Sequence, residues 1–144
     1  MIKNVKMVGG LVRSLYDNGR GGTANGQAGI GGFVGLLSDG LFIDNCHSSV
    51  DVYGLTWVGS LCGSVFNNTE EISLVVKNSS TTGDVYGRES SGGLIGDAYG
   101  NVTIKNCYAT GDIYENSGST NSWYRGGLIG NFMEAKAYNC YSTG

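Results

Sequence analysis

A recurring glycine block constrains the fold of this chain more than any other feature of its sequence. The block reads GGFVG from Gly31, GSLCG from Gly59, GGLIG from Gly92 and GGLIG again from Gly126. A second block follows each copy, for example IKNCYATGDIYE at residues 104–115. Self-similarity at a spacing of about 20–50 residues is typical of proteins built from stacked repeats.

These blocks divide the chain into repeats. Residues 1–30 hold a degenerate first repeat and a Gly-rich stretch, and residues 31–144 hold four further copies. We place the copies at 31–58, 59–91, 92–125 and 126–144. Since each copy aligns with the next over most of its length, we expect one continuous solenoid.

The segments inside a repeat are short and apolar. They lie around Leu94–Ile95, around Val102–Ile104 and around Ile113, with Gly and Asn between them. Strands this short are unstable as an isolated sheet, whereas stacked copies pair strand on strand and bury one core. The sequence therefore predicts an all-β fold, a β-solenoid of the right-handed parallel β-helix type, with about four to five coils and three short strands in each.

Composition excludes several other classes. The chain has 26 Gly but no Pro, and Gly does not recur at every third residue, so it is not collagen. An apolar fraction of 40% against 15% charged residues argues against disorder. The net charge of −3 is scattered, which makes nucleic acid a poor partner, and no apolar run is long enough for a transmembrane segment.

Aligning the copies places residues of one kind in columns that run from coil to coil. We expect the Asn column to occupy a corner, because Asn tolerates left-handed backbone, and its amides to bond between coils. The Cys column should point inward as small core residues, although an even Cys count leaves disulfides between coils as an alternative. The predicted structural ladder consists of Asn45, Asn78, Asn106, Asn139, Cys46, Cys107 and Cys140.

Three aspartates, Asp51, Asp84 and Asp112, form another column. Each follows a corner, so the simplest interpretation is a turn residue that bonds its own backbone. Two alternatives stay open: stacked carboxylates can recruit Ca²⁺, and acid pairs can cleave polysaccharides. We predict no other cofactor and no catalytic residue, and we expect His47 to be a surface substituent.

Outward aromatic residues are the candidate binding surface. Tyr53, Tyr86 and Tyr114 form a column, and Trp57 and Trp123 lie just before glycine blocks. Tyr and Trp offer a large contact area at low entropic cost, which favours sugar or protein binding. The alternative is that the rings only stabilise neighbouring strands by cross-strand pairing.

The GGLIG blocks followed by NCYATGDIY resemble the GLUG motif repeats of bacterial surface proteins. This resemblance implies a non-enzymatic module of a secreted or cell-surface protein, with the repeats as stalk or adhesive surface and an extracellular location. Its partners would be further repeats or copies of the same protein end to end, or a host glycan or protein. Alternatives are a subunit that stacks into an extracellular filament and, less favoured, a β-helical polysaccharide-cleaving enzyme.

Overall fold

The structure is a computed structural model that describes residues 1–14, 29–38, 40–116 and 123–144. Throughout these residues the regular structure consists of short strands, without a helix. Every strand pairs in parallel with its counterparts in neighbouring coils. The predicted parallel β-solenoid is confirmed.

The strands are two to six residues long. In chain order they are β1 (Ile2–Lys3), β2 (Lys6–Met7), β3 (Leu11–Arg13), β4 (Ile30–Gly31), β5 (Val34–Ser38), β6 (Phe42–Asp44), β7 (His47–Ser48), β8 (Asp51–Tyr53), β9 (Thr56–Gly59), β10 (Cys62–Asn67), β11 (Leu74–Lys77), β12 (Ser80–Thr81), β13 (Val85–Gly87), β14 (Glu89–Gly92), β15 (Ile95–Gly100), β16 (Val102–Lys105), β17 (Tyr108–Ala109), β18 (Ile113–Glu115), β19 (Trp123–Gly126), β20 (Ile129–Met133), β21 (Lys136–Tyr138) and β22 (Tyr141–Ser142).

These strands form five parallel sheets, which we number in the order that the chain visits them. Sheet 1 is β1-β6-β11-β16-β21 and sheet 2 is β2-β7-β12-β17-β22. Sheet 3 is β3-β8-β13-β18, sheet 4 is β4-β9-β14-β19 and sheet 5 is β5-β10-β15-β20. Four full coils and the first two strands of a fifth therefore lie on one another.

Counting the described strands alone, each complete coil has five, so the expected number of three was wrong. The strands that the sequence did not reveal belong to sheets 2 and 4. In sheet 2 they are two residues long, as in Ser80–Thr81. In sheet 4, Thr56–Gly59 contains Trp57 and Val58, but its counterpart Glu89–Gly92 has no apolar side chain. Such segments have weak intrinsic β preference, and pairing with the neighbouring coils makes them strands.

Loops absorb the uneven spacing between repeats and leave the register intact. In sheet 1, Val76 pairs with Ile43 on one side and with Ile104 on the other, at separations of 33 and 28 residues. The difference lies in residues 68–73, which join β10 to β11, whereas Asn101 alone joins β15 to β16. The same column can therefore be followed through coils of unequal length.

The buried apolar residues in the described part of the chain form two clusters. The larger cluster includes Ile43, Leu61, Val76, Leu94, Ile95 and Ile104. The smaller consists of Val50, Val52, Val58 and Val85, with Met7, Val12, Ile30 and Ile113 packed against it. The two clusters form because the interior narrows between them.

The narrowing occurs where the glycine block turns from sheet 4 into sheet 5. The buried Thr81 hydroxyl of sheet 2 donates to the carbonyl of Gly93 at 2.8 Å. A Cβ added to Gly93 would lie only 2.8 Å from the Cβ of Ala109. The turn thus contacts the opposite wall, and a residue without a side chain lets it do so.

Two buried serines near this turn make a matched pair for a stability test. The hydroxyl of Ser60 donates to the carbonyl of Val50 at 3.1 Å, whereas the hydroxyl of Ser91 has no partner among the described residues. Both residues are fully buried. An unpartnered buried hydroxyl is destabilising, so we expect Ser91→Ala to raise the free energy of unfolding by about 1 kcal/mol and Ser60→Ala to lower it by about 1 kcal/mol. Urea denaturation measures both, and a loss of stability in Ser91→Ala equal to that in Ser60→Ala would contradict the assignment.

Candidate functional site

The predicted Asn column lies between sheets 1 and 2, and Asn4 extends it into the first coil. All five members have left-handed backbone, with φ between 51° and 58°. Asn139 donates to Asn106 at 3.2 Å, and Asn106 donates to Asn78 at 3.1 Å. Asn45 donates to Asn4 at 2.8 Å. The amides thus tie neighbouring coils together at a corner that disfavours most other residues.

The ladder has one interruption, at Asp44. Asn78 donates to the Asp44 carboxylate at 2.9 Å instead of to Asn45. Lys3 and Lys77, from the coils on either side, each lie 3.6 Å from the same carboxylate. A buried acid is therefore surrounded by one amide and two cations.

This environment predicts how stability depends on pH. The bond from Asn78, followed by the charges of Lys77 and Lys3, holds the pKa of Asp44 below its ordinary value of 3.8. Such a group stabilises the fold above its unfolded pKa, and the stabilisation is lost as the pH falls through the folded pKa. We expect wild type to melt at a higher temperature than Asp44→Asn at neutral pH, and the difference to shrink below about pH 4. Melting curves followed by circular dichroism between neutral pH and pH 2 measure this, and a constant difference would contradict it.

The predicted Cys column consists of free thiols. Cys46 and Cys107 are buried and Cys140 is half-buried, with the buried Ser79 between the first two. Cys62, which the sequence did not assign to a column, is buried in the same cluster. Burial raises the pKa of Cys107 to about 11, so its thiol stays protonated at neutral pH and reacts poorly.

The Asp column bonds the backbone of the neighbouring coil. The carboxylate of Asp51 accepts from the amide of Asp84 at 2.9 Å, and that of Asp84 accepts from the amide of Asp112 at 2.9 Å. The carboxylate of Asp112 accepts from the hydroxyl of Tyr114 at 3.0 Å. In the described part of the chain, no three His, Cys, Asp or Glu side chains are grouped so that they could hold a metal ion.

The rings of the Tyr column stack on one another. The Tyr53 and Tyr86 ring centroids are 4.0 Å apart, and those of Tyr86 and Tyr114 are 4.7 Å apart. Arg13 of the first coil lies over the Tyr53 ring at 6.0 Å. The inner ring faces are therefore covered, which leaves mainly ring edges and hydroxyls for a ligand.

His47 belongs to the outward column of sheet 2. It pairs in register with Ser80, and its Nδ1 lies 2.8 Å from the Ser80 hydroxyl. A nucleophile activated by histidine normally has a third group that orients the ring. No carboxylate among the described residues contacts His47, so this geometry supports a structural contact between coils.

A groove on the outer face of sheet 5 brings together side chains that these columns do not use. We name it the aromatic groove and define it by its lining residues: Leu36, Trp57, Ser64, Phe66, Asp97, Tyr99 and Asn131. Its volume is about 270 Å³. Most of the lining is apolar, and the polar side chains are few and adjacent, which is the usual character of a ligand site.

Register explains how the polar side chains meet. Leu36, Ser64, Asp97 and Asn131 occupy one column in four consecutive coils. The amide of Asn131 donates to Asp97 at 2.7 Å, and the hydroxyl of Ser64 donates to the other carboxylate oxygen at 3.5 Å. Burial raises the pKa of Asp97, and these two bonds lower it less than burial raises it.

Three aromatic residues, Phe66, Tyr99 and Trp57, also line the groove. Phe66 and Tyr99 stack with centroids 5.4 Å apart and planes 14° apart. Trp57 comes from sheet 4 and has left-handed backbone, with φ of 51°. Ser90 and Tyr124 occupy the same place in the next two coils and share this conformation, so it is a property of the coil rather than of Trp57.

Among the predicted binding residues whose side chains the structure describes, Trp57 alone lines the groove. Tyr53, Tyr86 and Tyr114 lie in sheet 3 and are not among the lining residues. Trp123 begins β19, and its side chain lies outside the described residues.

The sequence contains a signal from which part of the groove can be located. Ser64 and Phe66 stand five and seven residues after Gly59, and Asp97 and Tyr99 stand five and seven residues after Gly92. Outward residues at fixed positions after the glycine block therefore mark the groove.

Comparison with known proteins supports the resemblance to the GLUG motif. Residues 87–114 match the family model of the GLUG motif. The matched segment runs once around the solenoid, from the end of β13 through sheets 4, 5, 1 and 2 to β18. Neither a curated protein nor a solved structure matches the chain. The described residues include no helix long and apolar enough to span a membrane. The chain therefore carries a GLUG motif at residues 87–114, which forms one complete coil of a parallel β-solenoid.

Proposed function

We propose that this chain is a non-enzymatic repeat module that serves as a stalk or adhesive surface of a secreted or cell-surface bacterial protein. The observation that carries the proposal is the use of polar side chains to join coils. Amides, carboxylates and tyrosine rings in separate columns bond or stack along the same axis. Repeats joined only to their neighbours make a stiff, elongated scaffold, which suits a stalk.

The absence of catalysis is part of this proposal. The carboxylates of Asp51 and Asp84 accept backbone amides of the next coil, a structural use that leaves them poorly placed for proton transfer. An Asp84-dependent cleavage of a polysaccharide or peptide by the purified chain, lost in Asp84→Asn, would contradict it.

The surface location is tested on the source cells. An antibody raised against the purified chain should label intact, unpermeabilised cells, and brief protease treatment of those cells should remove the label. An antibody to a cytosolic protein is the control and should label only after permeabilisation. Labelling that likewise requires permeabilisation would contradict a surface role.

A further inference from the structure

Asp97 departs from the repeat pattern that explains the other aspartates. Its column holds Leu36, Ser64 and Asn131 in the other coils, so it carries a single acid. A residue type that recurs in every coil serves the packing of the coils. A polar residue that occurs in one coil only, on an outer face, points to a ligand. Asp97 is such a residue in the aromatic groove.

The contrast with Asp44 shows what Asp97 lacks. Both are buried, at 7% and 8% exposure. Asp44 has two lysines at 3.6 Å, whereas no described Lys, Arg or His pairs with Asp97. A buried carboxylate is costly unless a cation or several donors compensate it. Asp97 has one short bond, from Asn131, and one long bond, from Ser64.

We propose that the aromatic groove binds the ammonium group of a lysine side chain presented by a partner protein, with Asp97 as the counter-ion. The ammonium group would donate to the carboxylate oxygen that has only the 3.5 Å bond from Ser64. The methylene stem would pack against Leu36, Trp57 and Phe66, as lysine stems do along apolar surfaces. This inference rests on the proposed binding role of the module and names its partner chemistry.

Other ligands fit the lining less well. A sugar ring brings several hydroxyl groups, but besides the Tyr99 hydroxyl and the Trp57 indole N–H the groove has only Ser64, Asp97 and Asn131, and two of these already bond the third. An arginine would use both carboxylate oxygens, and one of them is held by Asn131 at 2.7 Å. A compact ammonium needs only the other.

Titration with Nα-acetyl-lysine methylamide, followed by nuclear magnetic resonance, tests the proposal. We expect shifts of the Trp57 indole and Tyr99 ring signals with a Kd of about 1–10 mM, as suits a ligand of this size. The same compound acetylated on its ε-amine is the neutral control and should cause no shifts. Equal shifts from the neutral compound, or no shifts from the charged one, would overturn the proposal.

Two charge-removing variants test whether the lysine compound binds at Asp97. Asp97→Asn should weaken binding by about 30-fold, because it removes one partner of a desolvated charge pair. Glu71→Gln removes the same charge from an exposed residue outside the groove and should leave binding unchanged. Equal binding by Asp97→Asn and wild type would overturn the proposal.

A further variant guards against misfolding of Asp97→Asn. Asn131→Lys places an ammonium group of the protein itself beside Asp97, so it should abolish ligand binding and raise the melting temperature. Retained binding with no rise in melting temperature would count against the assignment. If the titration and both groove variants give the contradicting results, the lysine site is wrong. The proposed surface location is tested independently by the antibody labelling of cells.

Discussion

Replacing Gly96 with alanine should destabilise the chain by about 3 kcal/mol or more, the largest effect we expect from a single methyl group. A Cβ on Gly96 would lie 2.5 Å from the carbonyl carbon of Trp57 and closer still to the amide nitrogen of Val58. These are backbone atoms in the preceding coil, so no side chain can move aside. At Gly96, the last glycine of the GGLIG block, the backbone of sheet 5 therefore lies close to the backbone of sheet 4 in the preceding coil.

The control for this prediction is Gly9→Ala. Gly9 has left-handed backbone, with φ of 64°, but no atom lies within 4 Å of an added Cβ. Alanine there should cost about 1 kcal/mol, from backbone strain alone. Chemical denaturation of both variants measures the difference. A loss in Gly96→Ala no greater than that in Gly9→Ala would show that the coils do not approach each other in this way.

The Asn ladder should show the second largest effect, at Asn106. Its backbone is left-handed, with φ of 54°, and its side chain bonds both Asn78 and Asn139. Asn106→Ala loses both bonds and strains the backbone, so we expect it to lower the free energy of unfolding by about 2 kcal/mol.

The variant Asn106→Gly separates the effect of the lost hydrogen bonds from the effect of backbone strain. Glycine loses the same bonds but adopts the left-handed conformation without strain, so it should be less destabilising than alanine. This order is the reverse of the usual preference for alanine over glycine. Urea denaturation that finds Asn106→Gly less stable than Asn106→Ala would contradict the role of Asn106 as a corner.

The sequence predicted the stacking because the columns repeat in it. Asn78 and Asn106, or Asp84 and Asp112, can be aligned by reading copy against copy, and the structure places each pair in neighbouring coils. Identical side chains in neighbouring coils stack and bond well. The same residue type therefore recurs along a column, and aligning the repeats reveals it.

The strand count could not be read in the same way, and the sequence pattern marks only the part of the groove that belongs to sheet 5. Ser80–Thr81 becomes a strand through its neighbours in the adjacent coils rather than through its own preference. The groove combines Trp57 of sheet 4 with Asp97 of sheet 5, which belong to different coils. Their meeting depends on how the chain turns at the glycine block, which no single repeat reveals.

The pairing of unequal coils tests the solenoid most directly. Nuclear Overhauser effects should connect the backbone of Val76 with that of Ile104, 28 residues away, and the backbone of Ile104 with that of Ala137, 33 residues away, in parallel register. Antiparallel contacts between segments adjacent in sequence, or no contacts at these separations, would contradict a stack of parallel coils.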